Sequence, residues 1–322
     1  MRISQIVGPR TSEIVEVDDP VPAVGELLVE VVASGVCTSD LAPWRAGPGS
    51  RDGGQPIRLG HEIVGRIVAC GQNARGWAPG DLVTGLGGAG FASMALMDAS
   101  HVLPVPAGIE PACALGEPVA DLAEALSRTP IAPGTSVAVV GLGFMGLGLV
   151  QLARESAPGL LIGVDPVSAA RQRALDLGAD IVFAPDDLPA EYTSEASAEG
   201  TSRAKDRRPD IVLEATGVTA GLATAGTLVR PFGTLGVVGY HHTGDAKIDM
   251  RLWYKAVTVV NGFCPDRTRL MRAMSDALDL IARHRFSYAP LITHKIGLGE
   301  VDHAYELMDA RADGFVKAVL IP

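Results

Sequence analysis

Residues 136–148 read SVAVVGLGFMGLG, a short apolar run that breaks at three glycines and resumes with helix-like spacing. Few local structures accept such a segment. The apolar run predicts a buried strand, and Gly141, Gly143 and Gly146 follow it in G-x-G-x-x-G order. In that geometry the first glycine makes the tight turn and the second lets a pyrophosphate approach the backbone. The third lets the new helix pack closely on the strand. The helix GLGLVQLARESA then opens with unpaired N–H groups and the positive end of its dipole, which favour phosphate bound beside Phe144 and Met145. In a chain with 38 glycines the spacing alone arises by chance, so its context decides its value.

The context is a strand–helix alternation. LLIGVD reads as a strand, SAARQRALDLGA as a helix, and DIVFA, DIVLEATG and GTLGVVGY as further buried strands. Continuous apolar strands separated by helices predict a parallel sheet covered on both faces, the doubly wound α/β arrangement. Asp165 ends the second strand about twenty residues beyond the glycines, where an acid receives the ribose hydroxyls of a dinucleotide. Its charge repels a 2′-phosphate, so NAD is expected over NADP, with Arg171 on the next helix able to blunt the preference. The polar stretch LPAEYTSEASAEGTSRAKDRRPD interrupts the pattern and predicts a mobile surface segment with at most a weak helix.

The first ~120 residues have a different texture, short Val/Ile/Leu runs punctuated by Gly, Pro and Asp, as in ELLVEVVASGVC and IVGRIVACG. That predicts a β-rich domain. After AVTVVNGF, a possible edge strand, the stretch DRTRLMRAMSDALDLIARHR predicts a long amphipathic helix, and the chain closes with loop, helix and strand. The expected partition is a catalytic domain at 1–122 and 264–322, and a dinucleotide-binding domain at 123–263. A net charge of −10 argues against nucleic-acid or anionic-membrane partners. No leader-like or membrane-spanning run is visible, and four scattered cysteines make no disulfide framework, so a cytoplasmic protein is expected.

Four residues in the β-rich part could carry chemistry. Cys37 in GVCTSDLAPW reads as a buried filler, the usual fate of such a thiol, or as a nucleophile or a metal ligand. His61 and Glu62 in LGHEIVGRIVACGQNA stand at a turn before a strand, and Glu117 in LGEPVAD opens a helix whose dipole an acid also complements. Thiolate, imidazole and carboxylate form the ligand set of an open zinc site.

GHEIVGRIVACGQNA resembles the catalytic-zinc signature of zinc-dependent alcohol dehydrogenases, with Gly60-His61-Glu62, Gly65, Gly71 and Ala74 in register. GVCTSDL resembles that family's Cys-x-[Ser/Thr]-Asp element, and LGEPVA its Glu-Pro-Leu element. GDLV, DIVLEATG and the C-terminal stretch match in order. Across essentially the whole chain the sequence is similar to the zinc-dependent medium-chain dehydrogenase/reductases. The resemblance implies a Rossmann domain beside a GroES-like catalytic domain, and hydride transfer between a primary or secondary alcohol and NAD. Cys37, His61 and Glu117 would hold one catalytic zinc per subunit, with Glu62 an adjacent or alternating ligand. Ser39 would pass on the substrate proton, Asp40 would orient His61, and Lys317 would meet the cofactor phosphates.

Two departures stand out. The family's histidine after the Asp-Leu pair is replaced by Ala42, so the proton is expected to leave through water and ribose or through another group such as His241 or His242. The four-cysteine structural zinc lobe is missing, since TGLGGAG occupies its place. Trp44, Arg45, Arg51 and Asp121 are expected near the substrate, suiting a polyol, cyclitol or sugar-like alcohol. The competing readings are a zinc-free enone or quinone reductase of the same superfamily and a non-catalytic NAD-binding sensor. A homodimer or homotetramer is expected.

Overall fold

A computed structural model of the chain describes residues 1–49, 54–193, 207–241, 249 and 251–322. The chain divides into two compact units, Met1–Ala120 with Asp266–Pro322, and Asp121–Pro265. Arg51, His242 and most of the polar stretch expected to be mobile lie outside the described residues.

The first unit is built on β1 (Arg2–Gly8), β2 (Thr11–Glu16), β3 (Glu26–Gly35), α1 (Leu41–Ala46), β4 (Glu62–Cys70), β5 (Leu82–Gly87) and β6 (Met94–Pro104). The helix α2 (Gly116–Arg128) leads out of it. The second unit carries β7 (Ser136–Val140), α3 (Phe144–Glu155), β8 (Leu160–Val164), α4 (Ser168–Asp176), β9 (Ile181–Phe183) and α5 (Ala190–Thr193). It continues with β10 (Ile211–Glu214), α6 (Thr219–Leu228), β11 (Thr234–Val237), α7 (Arg251–Tyr254) and β12 (Thr258–Asn261). The chain returns to the first unit through α8 (Arg267–Ala282), β13 (Ile292–Ile296), α9 (Val301–Asp309) and β14 (Lys317–Leu320).

The second unit is a six-stranded sheet in the order β12-β11-β10-β7-β8-β9, with every pairing parallel. Ala138, Val140, Ile162, Val164, Val212 and Leu235 pack with Leu222 and Leu228 of α6 into one of its cores. The continuous apolar runs of the sequence are therefore explained by helices on the sheet faces, which leave no strand side in water. The expected α/β class is borne out.

In the first unit the order is β13-β14-β3-β4-β5-β6, and β6 pairs back onto β3. The ten residues of β3 make this closure possible. Its first half, Glu26–Glu30, pairs with β6, while Ser34 and Gly35 at its far end pair with β14. The interior is filled by Leu27, Val29, Val31, Ile63, Ile67, Val83, Ala95, Met97 and Val102. The amphipathic helix read from the sequence is α8, which buries Leu270, Met274, Ala277, Leu278 and Ile281. It starts at Asp266, whose side chain accepts hydrogen bonds from the N–H groups of Thr268 and Arg269, an N-cap contributing about 1 kcal/mol.

Candidate active site

Strand register brings distant residues together. In the first unit β3 is flanked by β4 and β14, and Gly35 near its end lies opposite Glu62 on one side and Val319 on the other. Cys37 follows β3 by two residues, His61 and Glu62 begin β4, and Lys317 begins β14. Gly35 leaves the space that Glu62 needs, since a Cβ there would sit 1.9 Å from Glu62 Oε2. Gly60 turns the chain into His61 at φ +100°, a conformation that favours glycine.

Cys37, His61 and Glu62 each offer a donor atom, and the three atoms lie within 4.8 Å of one another. Glu117 comes close without joining this tight group, with Oε1 3.9 Å from His61 Nε2. Its helix start is fixed by Thr84, whose hydroxyl accepts from Gly116 N at 2.8 Å, and by Tyr288, whose hydroxyl donates to Leu115 O at 2.7 Å. Asp40 is buried, accepts from Cys37 N at 3.1 Å and lies 3.6 Å from His61 Nδ1, so it can orient both donors. Ser39 stands two residues beyond Cys37 and works to lower the pKa of its thiol.

The electrostatics fit a dication. Burial, with Glu62 adding to it, pushes the Cys37 thiol up to about 11, while Lys317 opposes the shift. Burial likewise raises Asp40 to about 6 against the pull of His61. Glu62 Oε1 is paired with Lys317 Nζ at 2.6 Å, but Oε2 is buried with no hydrogen-bond partner among the described residues. An orphaned carboxylate oxygen beside a protonated thiol and an imidazole is a costly arrangement that a zinc ion would satisfy. The residues present therefore fit the metal.

Two expected roles are corrected. Lys317 is not on a surface that a cofactor phosphate reaches. Its side chain is 4% exposed and its ammonium is committed to Glu62. Trp44 does not line a pocket either. It is fully buried, stacks near Tyr305 with ring centroids 5.3 Å apart, and donates from Nε1 to Asp302 at 2.9 Å. Arg45 beside it pairs with Asp309, which also binds Arg10. Tyr305 was missed by the sequence reading: its phenol pKa is raised by burial and by the nearby Asp40, Asp302 and Cys37. Asp121 stands one helical turn beyond Glu117 on α2.

In the second unit the three glycines behave as their spacing implies. Gly141 has φ +90°, and a Cβ on Gly146 would lie 1.8 Å from Gly141 O. Around a Cβ on Gly143 there is nothing within 4 Å, leaving the backbone open to a phosphate. Gly143 is the N-cap of α3, followed by Phe144 and Met145. Asp165 accepts from Leu142 N and Val167 N, both at 2.8 Å, which holds it against the glycine turn. Arg171 donates to the carbonyls of Asp165 and Pro166, so its guanidinium is partly engaged by backbone. His241 pairs with Glu214 in this unit.

Comparison with known proteins identifies the family of the chain. Residues 23–107 match the alcohol dehydrogenase GroES-like domain and residues 145–283 the zinc-binding dehydrogenase domain. The chain is a zinc-dependent medium-chain dehydrogenase/reductase. It is 28% identical to an L-threonine 3-dehydrogenase of Pyrococcus abyssi, over 96% of this chain and 95% of the relative. It is 27% identical to the L-galactonate-5-dehydrogenase of Escherichia coli, over 84% and 87% of the two chains. Among solved structures, alcohol dehydrogenase TADH from Thermus sp. ATN1 superposes with a TM-score of 0.83 at 25% identity, covering 100% of this chain and 99% of that one. As a member of this family the chain is an NAD(P)-dependent oxidoreductase acting on CH–OH groups, with zinc as its metal. None of its described helices is long and apolar enough to cross a membrane.

Proposed function

We propose that this dehydrogenase oxidises a polar secondary or primary alcohol of the polyol, cyclitol or sugar-like class with NAD, and reduces the matching carbonyl in reverse. The observation that carries the reading is the convergence of Cys37, His61 and Glu62 within 4.8 Å. Cys37 and His61 would hold the zinc, with Glu117 or Glu62 as the carboxylate ligand and Asp40 orienting His61. When bound, the ion supplies Lewis acidity that makes an alcohol ionisable near neutral pH. Ser39, two residues from Cys37 and acting on its thiol, would move the hydroxyl proton, and Asp121 is the polar side chain one turn from Glu117. Gly141, Gly143, Phe144, Met145 and Gly146 would receive the pyrophosphate and Asp165 the adenosine ribose, an acid that favours NAD over NADP. The relatives are named for threonine and galactonate, both polar, charged alcohols, which supports a polar substrate.

The reading includes a homodimer formed through β12. That strand is the edge of its sheet and exposes Val259, with Phe232, Trp253, Tyr254 and Phe263 also exposed on the same unit. An apolar edge of this kind is normally covered. It also includes a cytoplasmic protein, which the unbridged thiols of Cys37, Cys70 and Cys113 support.

Metal analysis combined with a panel of polyols, cyclitols, sugar acids and simple alcohols, read by NADH absorbance, tests the proposal. One zinc per chain and turnover of a polar alcohol are expected. Cys37→Ser should lose the zinc and nearly all turnover while still binding NADH. Near-normal turnover by that variant would refute the zinc assignment, and a monomer in sedimentation equilibrium would refute the dimer.

A further inference from the structure

Glu214, the last residue of β10, is fully buried and works as a hub. Its Oε1 accepts from the backbone N–H of Thr216 at 2.6 Å and of Gly217 at 3.0 Å, and from the Thr216 hydroxyl. Its backbone carbonyl accepts from Val238 N and Gly239 N at 2.8 and 2.9 Å. One residue thus ties the loop after β10 to the loop after β11. The loops interlock: a Cβ on Gly239 would lie 2.3 Å from Gly217 N, and one on Gly217 would lie 2.4 Å from Tyr240 O. The remaining carboxylate oxygen, Oε2, is 3.0 Å from His241 Nε2.

That contact fixes the imidazole. A carboxylate oxygen accepts hydrogen bonds, so this contact favours the tautomer with its proton on Nε2, which presents Nδ1 as an acceptor. With the His241 side chain 13% exposed, the ring is mostly enclosed and held in one direction. The bond gives the buried Oε2 its partner, and it also leaves Nδ1 in a fixed orientation for whatever binds that nitrogen.

The location says what that is. Strand order reverses between β7 and β10, and open α/β sheets bind ligands outside the carboxyl ends of the strands at such a reversal. Glu214 pairs in register with Val140, the residue before Gly141. A Cβ on Gly141 would meet Thr216 Cγ2 at 2.6 Å, so the loop held by Glu214 packs directly on the phosphate turn. The fold has two mononucleotide-binding halves. The β7–β8 half contains the glycines and Asp165, which leaves the β10–β11 half, with His241, for the other nucleoside.

We propose that His241, its tautomer set by Glu214, accepts a hydrogen bond through Nδ1 from the nicotinamide nucleoside of the cofactor, either a ribose hydroxyl or the carboxamide N–H. The assignment rests on the dinucleotide reading of this unit. Binding of NADH, ADP-ribose and AMP to the zinc-loaded full chain by calorimetry tests it, comparing the native protein with His241→Gln. Glutamine retains a donor for Glu214 but offers no acceptor at the Nδ1 position. NADH should bind about threefold to tenfold more weakly, the equivalent of one neutral hydrogen bond, with AMP unchanged. Loss on ADP-ribose as well places the contact at the ribose, and loss on NADH alone places it at the carboxamide. Unchanged NADH affinity, or equal weakening of AMP, overturns the assignment and makes the pair a structural pin. Failure of the native protein to bind any of the three overturns the dinucleotide reading and this assignment with it.

Discussion

Replacing Lys317 by methionine removes the positive half of a buried ion pair. The two side chains are 4% and 1% exposed, and Nζ sits 2.6 Å from Glu62 Oε1. Burial alone would lower the Lys317 pKa, but Glu62 and Cys37 beside it outweigh that and the net direction is up. The ammonium is therefore charged at neutral pH, and its removal strands a carboxylate whose other oxygen already has no partner among the described residues. Breaking a buried pair from one side costs about 3–5 kcal/mol. At roughly 2–4 °C per kcal/mol, Tm should fall by about 6–20 °C. Glu62→Gln should cost a similar amount by removing the nearest negative charge that balances the ammonium. The double variant removes both charges, so its cost should be smaller than the sum of the two by at least ~2 kcal/mol. Urea unfolding of metal-stripped protein, followed by circular dichroism, measures all three. Restoring zinc should shrink the cost of Lys317→Met, since Glu62 regains a cation. A single-variant cost below about 1 kcal/mol, or strict additivity, would refute the argument that this pair is electrostatically coupled.

Two glycines of the phosphate turn should separate folding from binding. Gly146→Ala places a methyl 1.8 Å from Gly141 O and should destabilise the second unit by about 1–3 kcal/mol or more. Gly143→Ala meets nothing within 4 Å, so Tm should move little while NADH affinity drops more than about tenfold; the reverse pattern would contradict the assigned roles. Burial works upward on the Asp210 carboxyl, but hydrogen bonds from Ser136 and Arg230 outweigh it and hold the pKa below its usual value. The unfolded chain therefore binds the proton first on acidification. The stabilisation is complete above the ordinary aspartate range near ~3.9, and is lost as pH falls through the lower folded value. Asp210→Asn should flatten the acid limb of a Tm-against-pH profile, and an unchanged limb would remove Asp210 from the account.

The dinucleotide unit was legible because periodicity alone specifies it: β7, α3 and β8 follow directly from an apolar run, three glycines and a second run ending in Asp165. The metal donors were legible as types but not as neighbours. Their convergence depends on β3 lying between β4 and β14, a pairing that no local pattern encodes. Lys317 shows the consequence. Nothing in GFVKAVL reveals that its lysine points at a carboxylate 255 positions earlier. Trp44 is a different kind of error, because a signal existed. Leu41 and Trp44 are three apart on α1 and both buried, the spacing of a helix face turned to a core. The family resemblance of the segment after Cys37 implies a pocket wall instead. The bond from Trp44 to Asp302 spans 258 positions and could not be read from either segment.

The 255 positions between Glu62 and Lys317 are also an interval of time. At ~5–20 residues per second, a ribosome that has just made Glu62 needs roughly 13–50 s more to make Lys317. Throughout that interval Cys37, His61 and Glu62 exist on a nascent chain that lacks the counter-ion of one of them and the strand that flanks β3. During synthesis, then, the second unit can be finished while the metal-binding group is still electrostatically incomplete, and β14, made after that unit, completes both the sheet and the charge balance of the site.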